Sequence, residues 1–367
     1  MIFRKGKLAW ITGCNFLRSD KFRLLVLTHN NGKNYFSKIK LPRKHGITWK
    51  NSEYNMKKIV LLLVFSFCLI QGVAQDDSTD TEAVARMINL TEVVIRSDLN
   101  VPRFLDLIKN DTTFYKAFRN LRVLGFTSLN DIRMMDKKGR VKASLQSKTR
   151  QNVSGGCRTM DILEQNSTGN MFDDDGSFNY YTAQLYAGLF FTPVKICGET
   201  NIVKGIERDV KSKKGLEKHK EQLKMLFFNP GKKIPGIPFI GNKVDIFDPD
   251  IARYYNFTID LGDYEGQYCY IFSIKTKDDL SGSEKGNIVI DNMTTWFNNK
   301  TLEIVGRNYD LSYNTGAYDF DVHMEVLMSK FGNYLVPRVL RYTGDWDVII
   351  KKRERGIFTA TLFDFRF

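Results

Sequence analysis

Residues Tyr254–Lys277 read YYNFTIDLGDYEGQYCYIFSIKTK. Apolar side chains fall at every second position on both sides of a centre spanning Gly262 to Gly266. Period-two alternation broken by a Gly-bounded turn marks a β-hairpin. The pattern then runs to the C-terminus: GNIVID, TLEIVGRNYDLSY, YDFDVHMEVLMSK, YLVPRVLRYT, WDVIIKK and GIFTATLFDF follow, with turn residues between them. Consecutive strands joined by short turns build an antiparallel meander.

Upstream the period changes. VPRFLDLIKNDTTFYKAFRNLRV, from Val101 to Val123, spaces Phe104, Leu107, Ile108, Phe114, Phe118 and Leu121 as a helix does, in two pieces parted at Asn110-Asp111. Residues 126–150 read as a hairpin turning at DKKGR; a loop follows. NYYTAQLYAGLFF is a helix with Tyr181, Leu185, Leu189 and Phe190 on its apolar side. Lys204 to Phe228 is a charged helix, or a loop and a helix, with a narrow apolar stripe. The class is therefore α+β: a broad curved antiparallel sheet, a half-barrel-like meander, packed on helices from the N-terminal half. Residues 89–250 form the helical and hairpin part, and 251–367 the sheet, as one domain.

Residues 56–74 carry an address. Met56-Lys57-Lys58, the apolar run Ile59 to Ile70, and Gly72-Val73-Ala74 reproduce the three parts of a secretory signal, with cleavage between Ala74 and Gln75. The run is short for a membrane span, which takes about 20 apolar residues. Residues 1–55 show no sustained period and are read as an over-extended, unstructured N-terminus before the start at Met56. Residues 75–88, acidic and polar at their start, are read as a flexible leader. The formal net charge is +14, but residues 1–55 carry twelve Lys and Arg against Asp20 and Glu53, and Lys57 and Lys58 add two more. Only +2 remains from Gln75 onward, so the basic balance gives no support for nucleic-acid binding. Export to the periplasm or the outer membrane follows, with membrane association peripheral if any.

Three cysteines remain after Gln75. Cys157 and Cys197 lie in Gly-containing turns (SGGCR and KICGE) and are the expected disulfide pair, a pairing that spacing alone does not fix, while Cys269 takes a buried strand position. On a strand, Asp319, Asp321, His323 and Glu325 of DFDVHMEV share one face. Carboxylates around an imidazole are weak candidates for a metal site or an acid–base pair; amphipathic alternation accounts for them equally. NPGKKIPGIPFIG (Asn229 to Gly241) has three prolines and the apolar Ile234, Ile237, Phe239 and Ile240, which read as a lid over a hydrophobic cavity or as a loop tucked on the core. No G-x-S-x-G elbow, Walker loop, H-E-x-x-H or paired-cysteine motif is present, and no cofactor is implied.

NLTEVVI (from Asn89) is similar to the segment preceding the body of Gram-negative envelope proteins with carboxypeptidase-regulatory-like domains. The run Tyr255-Asn256-Phe257, Tyr270 to Ile274 and Gly286 to Asp291 resembles large secreted families of such bacteria and the lipoprotein-localisation fold. That resemblance, over residues 89–367, implies a curved sheet wrapped around helices with an apolar interior, and no catalytic residues. TLFDFRF, with Phe363, Phe365 and Phe367 on one face, is similar to the closing strand of outer-membrane barrels, although the early helices do not suit a barrel. The expected function is a non-enzymatic envelope protein holding an apolar ligand or lipid-linked component, with envelope proteins as partners. The alternatives are a structural or assembly partner without ligand, and a hydrolase using the Asp319–Glu325 face.

Overall fold

Alternation at period two fixes which side of each strand is buried, and the turn residues fix where it reverses. In the computed structural model, which describes residues 24–30, 33–39, 77–91, 95, 99–203, 225–234, 240–314, 318–348 and 351–367, the chain falls into two units, Met1–Gln75 and Asp76–Phe367.

In the first unit, β1 (Leu24–Asn30) pairs antiparallel with β2 (Lys33–Ile39). Within residues 1–55, read as unstructured, residues 24–30 and 33–39 are therefore strands. The two strands are separated by Asn31-Gly32, a dipeptide that favours two-residue hairpin connections, and LLVLTHN is rich enough in apolar residues to form a strand. The signal-type segment 56–74, with Ala74 and Gln75, lies outside the described residues.

The second unit is α+β. Its single open, curved sheet has twelve strands in the order β3-β8-β9-β10-β11-β12-β13-β14-β4-β5-β6-β7. The meander runs through β8 (Tyr255–Tyr264), β9 (Gln267–Thr276), β10 (Ile290–Asn298), β11 (Ile304–Asn314), β12 (Tyr318–Phe331), β13 (Tyr334–Val348) and β14 (Lys351–Arg366). The hairpin that opened the sequence reading turns between Tyr264 and Gln267, with Phe257 opposite Ile274 and Ile259 opposite Phe272. Strand β13 continues through Gly344 where the sequence suggests two separate strands.

From the other end, β4 (Gly125–Met135), β5 (Val141–Ser154), β6 (Cys157–Gly169) and the two-residue β7 (Ile196–Cys197) extend the same sheet, because β14 pairs with β4. Strand β6 occupies a stretch read as loop. Most of its residues are exposed, so it has no apolar face for alternation to reveal. At the opposite edge β3 (Ile88–Leu90) joins β8 in parallel. The flexible leader is likewise corrected: α1 (Asp77–Ala85) is helical, with Thr81 and Val84 buried.

The helices cover the inner face of the sheet. Asn100 accepts the Arg103 N–H at 3.0 Å to cap α2 (Val101–Asn110), whose Phe104 packs 5.6 Å from Tyr270 and 5.3 Å from Phe297, ring centre to ring centre. The chain breaks at Asp111, as the spacing predicts. Helix α3 (Thr113–Asn120) then buries Phe114, Ala117 and Phe118, and Asn120 donates to the Leu335 carbonyl on β13 at 2.8 Å. Helix α4 (Tyr181–Phe190) buries Thr182, Ala183, Tyr186 and Phe190, a face rotated from the one its largest residues suggest. Two short helices, α5 (Pro249–Ala252) and α6 (Gly282–Lys285), lie in connections. No helix among the described residues is long and apolar enough to cross a membrane.

Candidate functional site

On β12 the alternation is complete: Phe320, Val322, Met324 and Val326 are buried, while Asp319, Asp321, His323 and Glu325 face outward. The four polar residues do not converge on a point. Asp319 pairs with Arg353 at 3.0 Å and Glu325 with Arg341 at 2.9 Å. His323 Nδ1 lies 2.5 Å from Asp310 Oδ1 on β11, and its Nε2 lies 3.3 Å from Glu325 Oε1. Asp310 in turn accepts from Asn292 on β10 at 2.7 Å. Among the described residues no group of three His, Cys, Asp or Glu side chains is placed to hold a metal ion.

Both imidazole nitrogens therefore face carboxylates. Burial disfavours the charged His323 ring, but the hydrogen bonds to Asp310 and Glu325 outweigh it and hold its pKa above the ordinary 6.5. An imidazolium locked between two acids has no lone pair to offer a nucleophile, which opposes the hydrolase reading. The sign for stability follows from the raised value. The contribution is complete below pH 6.5 and is lost as pH rises through the folded-state value. Because the ring is 44% exposed, the effect is screened to under about 1 kcal/mol. His323→Gln should flatten that part of the stability–pH curve, read as the urea midpoint across neutral pH. A wild-type midpoint that does not fall as pH rises there would refute the assignment.

The inner face holds a different site. Met324 from β12, Tyr342 and Trp346 from β13 and Phe358 from β14 form its floor. Thr182, Leu185, Tyr186, Leu189 and Phe190 of α4 form its roof, and Phe227 and Phe228 of the helical turn 225–228 close its side. The space is about 30 Å³ and, among the described residues, its wall carries no charged group. Ring geometry is tight: Tyr342 stacks on Phe358 with centres 4.3 Å apart and planes at 7°, and Tyr186 lies 4.5 Å from Phe358. Phe227 meets Trp346 edge-on at 5.5 Å. Tyr342 can lie along its strand only because position 344 is glycine. A Cβ there would fall 1.9 Å from the Tyr342 hydroxyl.

Polar groups set the roof's position. The Tyr186 hydroxyl donates to Asn130 Oδ1 at 2.8 Å, and Ser128 donates to the same oxygen at 2.7 Å, so a buried polar cluster on β4 fixes the helix laterally. Burial raises the Tyr186 hydroxyl far above its usual pKa, and it stays a neutral donor. Glu354 on β14 lies beneath the first turn of α4. It accepts the Tyr181 and Thr182 N–H groups at 2.8 and 2.7 Å and the Thr182 hydroxyl at 2.8 Å. Sequence reasoning passed over Glu354 because it sits in the charged run KKRERG; strand alternation alone turns it inward.

Of the residues read as a lid, Ile234 and Ile240 are 1% exposed, packed into the core, and do not line this cavity. Ile237 and Phe239 lie outside the described residues, as does the charged segment 204–224. The loop is fastened where it can be seen: Ile234 N–H donates to the Gly241 carbonyl at 3.0 Å, and Lys232 donates to the Asp111 carbonyl. Burial pushes the Lys232 ammonium down to about 8. Cys157 and Cys197 form a disulfide with an S–S distance of 2.06 Å, and Cys269 is a free, buried thiol.

No protein-family model matches the chain, and no curated protein is significantly similar to it. Solved structures similar to it include two described as lipoprotein-sorting and LolA-superfamily proteins. One is described as an outer membrane lipoprotein-sorting protein domain from Vibrio parahaemolyticus, with 9% identity over 68% of this chain and 88% of that one, at a TM-score of 0.24. A LolA superfamily protein from Nitrosomonas europaea shows 9% identity over 70% and 91%, at 0.20. A DUF1329 family protein from Desulfovibrio piger shows 11% identity over 79% and 92%, at 0.22. At such scores none of them informs the site, whose chemistry rests on this chain's own residues.

Proposed function

We propose that the chain is an exported envelope protein that holds an apolar ligand, an acyl chain or lipid-linked component, between α4 and the inner face of β12–β14. The observation that carries this is the uncharged, aromatic-walled space beneath a helix that is tied to the sheet by a few polar contacts. Export is supported by the Cys157–Cys197 disulfide, which persists in oxidising compartments, and by the signal-type segment 56–74. The periplasm or the outer membrane is the proposed location, with other envelope proteins as partners.

A space of about 30 Å³ is far below the roughly 300–1,000 Å³ of a ligand site. The arrangement seen is therefore closed, and admission of a chain requires α4 to lift from β14. The same small volume favours a second reading, a structural or assembly partner whose interior stays filled.

Native mass spectrometry of the full chain, purified from an envelope fraction without denaturant, separates the two. Extra mass released by organic solvent is expected, on a polypeptide beginning at Gln75. A bare polypeptide under the same conditions would favour the filled interior. A polypeptide retaining residues 56–74 would overturn the cleavage assignment.

A further inference from the structure

The inner face of the sheet changes character where β14 meets β4. Beneath α4 the row is aromatic and apolar: Met324 stands opposite Tyr342, Tyr342 opposite Phe358, and Phe358 opposite Ile132 on β4. Two residues back along β4 the same face turns polar. Asn130 stands opposite Ser147 and Ser128 opposite Thr149, and all four are buried, none more than 8% exposed. None of them carries a charge. The inner face is thus amphipathic across its width, with hydroxyls and an amide set beside an aromatic floor. Buried polar groups of this kind are costly unless they are hydrogen-bonded.

Asn130 is the centre of that strip. Its Oδ1 accepts from Ser128 at 2.7 Å and from Tyr186 at 2.8 Å. Its Nδ2 is held more loosely, 3.3 Å from Ser147 Oγ, 3.4 Å from Thr149 Oγ1 and 3.5 Å from the Ser147 carbonyl. One of the two close donors, Tyr186, belongs to α4, and its ring is part of the roof over the aromatic floor. The contact that holds the helix down therefore also satisfies a buried acceptor. When α4 lifts to admit a chain, Oδ1 loses that donor, and an acceptor left buried and unpaired costs its full desolvation. A ligand hydroxyl restores the bond. The same hydroxyl can accept from Nδ2, so one OH group meets both ends of the amide.

Accepting that a ligand is held beneath α4, we infer that it is an amphiphile with a neutral hydroxyl head, which replaces the Tyr186 hydroxyl at Asn130 while its apolar chain lies over Tyr342 and Phe358. A charged head does not suit the wall. Among the described residues it offers aromatic, aliphatic and hydroxyl groups, and no cation to pair a carboxylate or phosphate. An ether oxygen accepts but cannot donate, and would leave Oδ1 short of a partner.

The test is displacement of a neutral fluorescent probe, Nile red, from the full chain by dodecanol, dodecyl methyl ether and dodecanoate, which differ only in the head. Dodecanol should compete at least about fivefold better than the ether, the scale of one buried hydrogen bond. It should also compete better than ionised dodecanoate. Tyr186→Phe removes the hydroxyl that the ligand must displace, so the advantage of alcohol over ether should widen several-fold. Asn130→Leu should abolish that advantage, with the melting temperature as its folding control; the wild-type ratio and Tyr186→Phe carry the test independently of it. Equal competition by alcohol and ether, or a ratio unchanged in folded Asn130→Leu, would overturn the head-group inference and leave apolar-ligand binding standing. Better competition by dodecanoate would overturn it in favour of an anionic head. Failure of all three to compete would sink both readings.

Discussion

A Cys157→Ser/Cys197→Ser double variant is expected to lose about 4 kcal/mol of unfolding free energy, the chain-entropy value for a 40-residue separation. The reason lies largely in the unfolded chain, which gains freedom when the loop is no longer closed. Urea unfolding should show a lower midpoint, and reducing agent should shift the wild type to the same position. A shift of less than about 1 kcal/mol would mean that the loop is held as firmly by its other contacts. At the bridge itself those contacts are few. Strand β7 has two residues, and its pairing consists of Cys157 opposite Cys197 and Arg158 opposite Ile196.

The bond also acts on the site, because the loop it closes contains α4. Past Cys197, Glu199 reaches Arg158 and Arg122, and Asn201 donates to Asn120 on α3 at 2.9 Å. Roof helix, Glu199 and disulfide therefore belong to one piece of chain returned to the edge of the sheet. Loss of the bond should therefore loosen α4, read as faster hydrogen exchange in residues 184–190, more than it loosens the aromatic floor of β12–β14.

How much of this could be read in advance depends on the range of the signal. Alternation in Tyr254–Lys277 and in Tyr318–Phe331 is local, and so is the helical spacing of Phe104, Ile108, Phe114 and Phe118; each led to the element observed. The pairing of β14 with β4 joins Phe358 to Ile132, more than two hundred residues away, and no local pattern encodes it. Strand β6 escaped because a strand paired on its outer side only at Cys157 and Arg158, with Ile162 and Leu163 in solvent, has no buried face to impose a period. The inner site was legible in its materials, the apolar loop and the buried helix, but not in its address. The sequence offered Ile234, Ile237, Phe239 and Ile240 as a cover or as a loop tucked on the core; Ile234 and Ile240 are in the core, and α4 and residues 225–228 lie over the floor.

Glu354→Ala is expected to release that cover. Helix α4 begins at Tyr180, which supplies no side-chain cap, so its first N–H groups would be left without acceptors. Glu354 accepts two of them and the Thr182 hydroxyl from across the interface, three hydrogen bonds to a carboxylate at the positive end of the helix. Hydrogen bonds to a charged group contribute roughly 1.5–3 kcal/mol each in favourable settings, and the three share one partly exposed carboxylate. A total of about 3 kcal/mol is expected, expressed first as local opening of α4. Hydrogen exchange should show lost protection in residues 184–190 while β12 and β13 keep theirs. Glu354→Gln, which keeps an acceptor and loses the charge, should fall between the two. If the helix is the door to the apolar space, the same variant should exchange Nile red faster at both loading and release, while affinity changes less than either rate. Unchanged protection in α4 would show that the Tyr186–Asn130 contact and the aromatic packing hold the helix without Glu354, and the route for a ligand would then have to be sought elsewhere along the sheet.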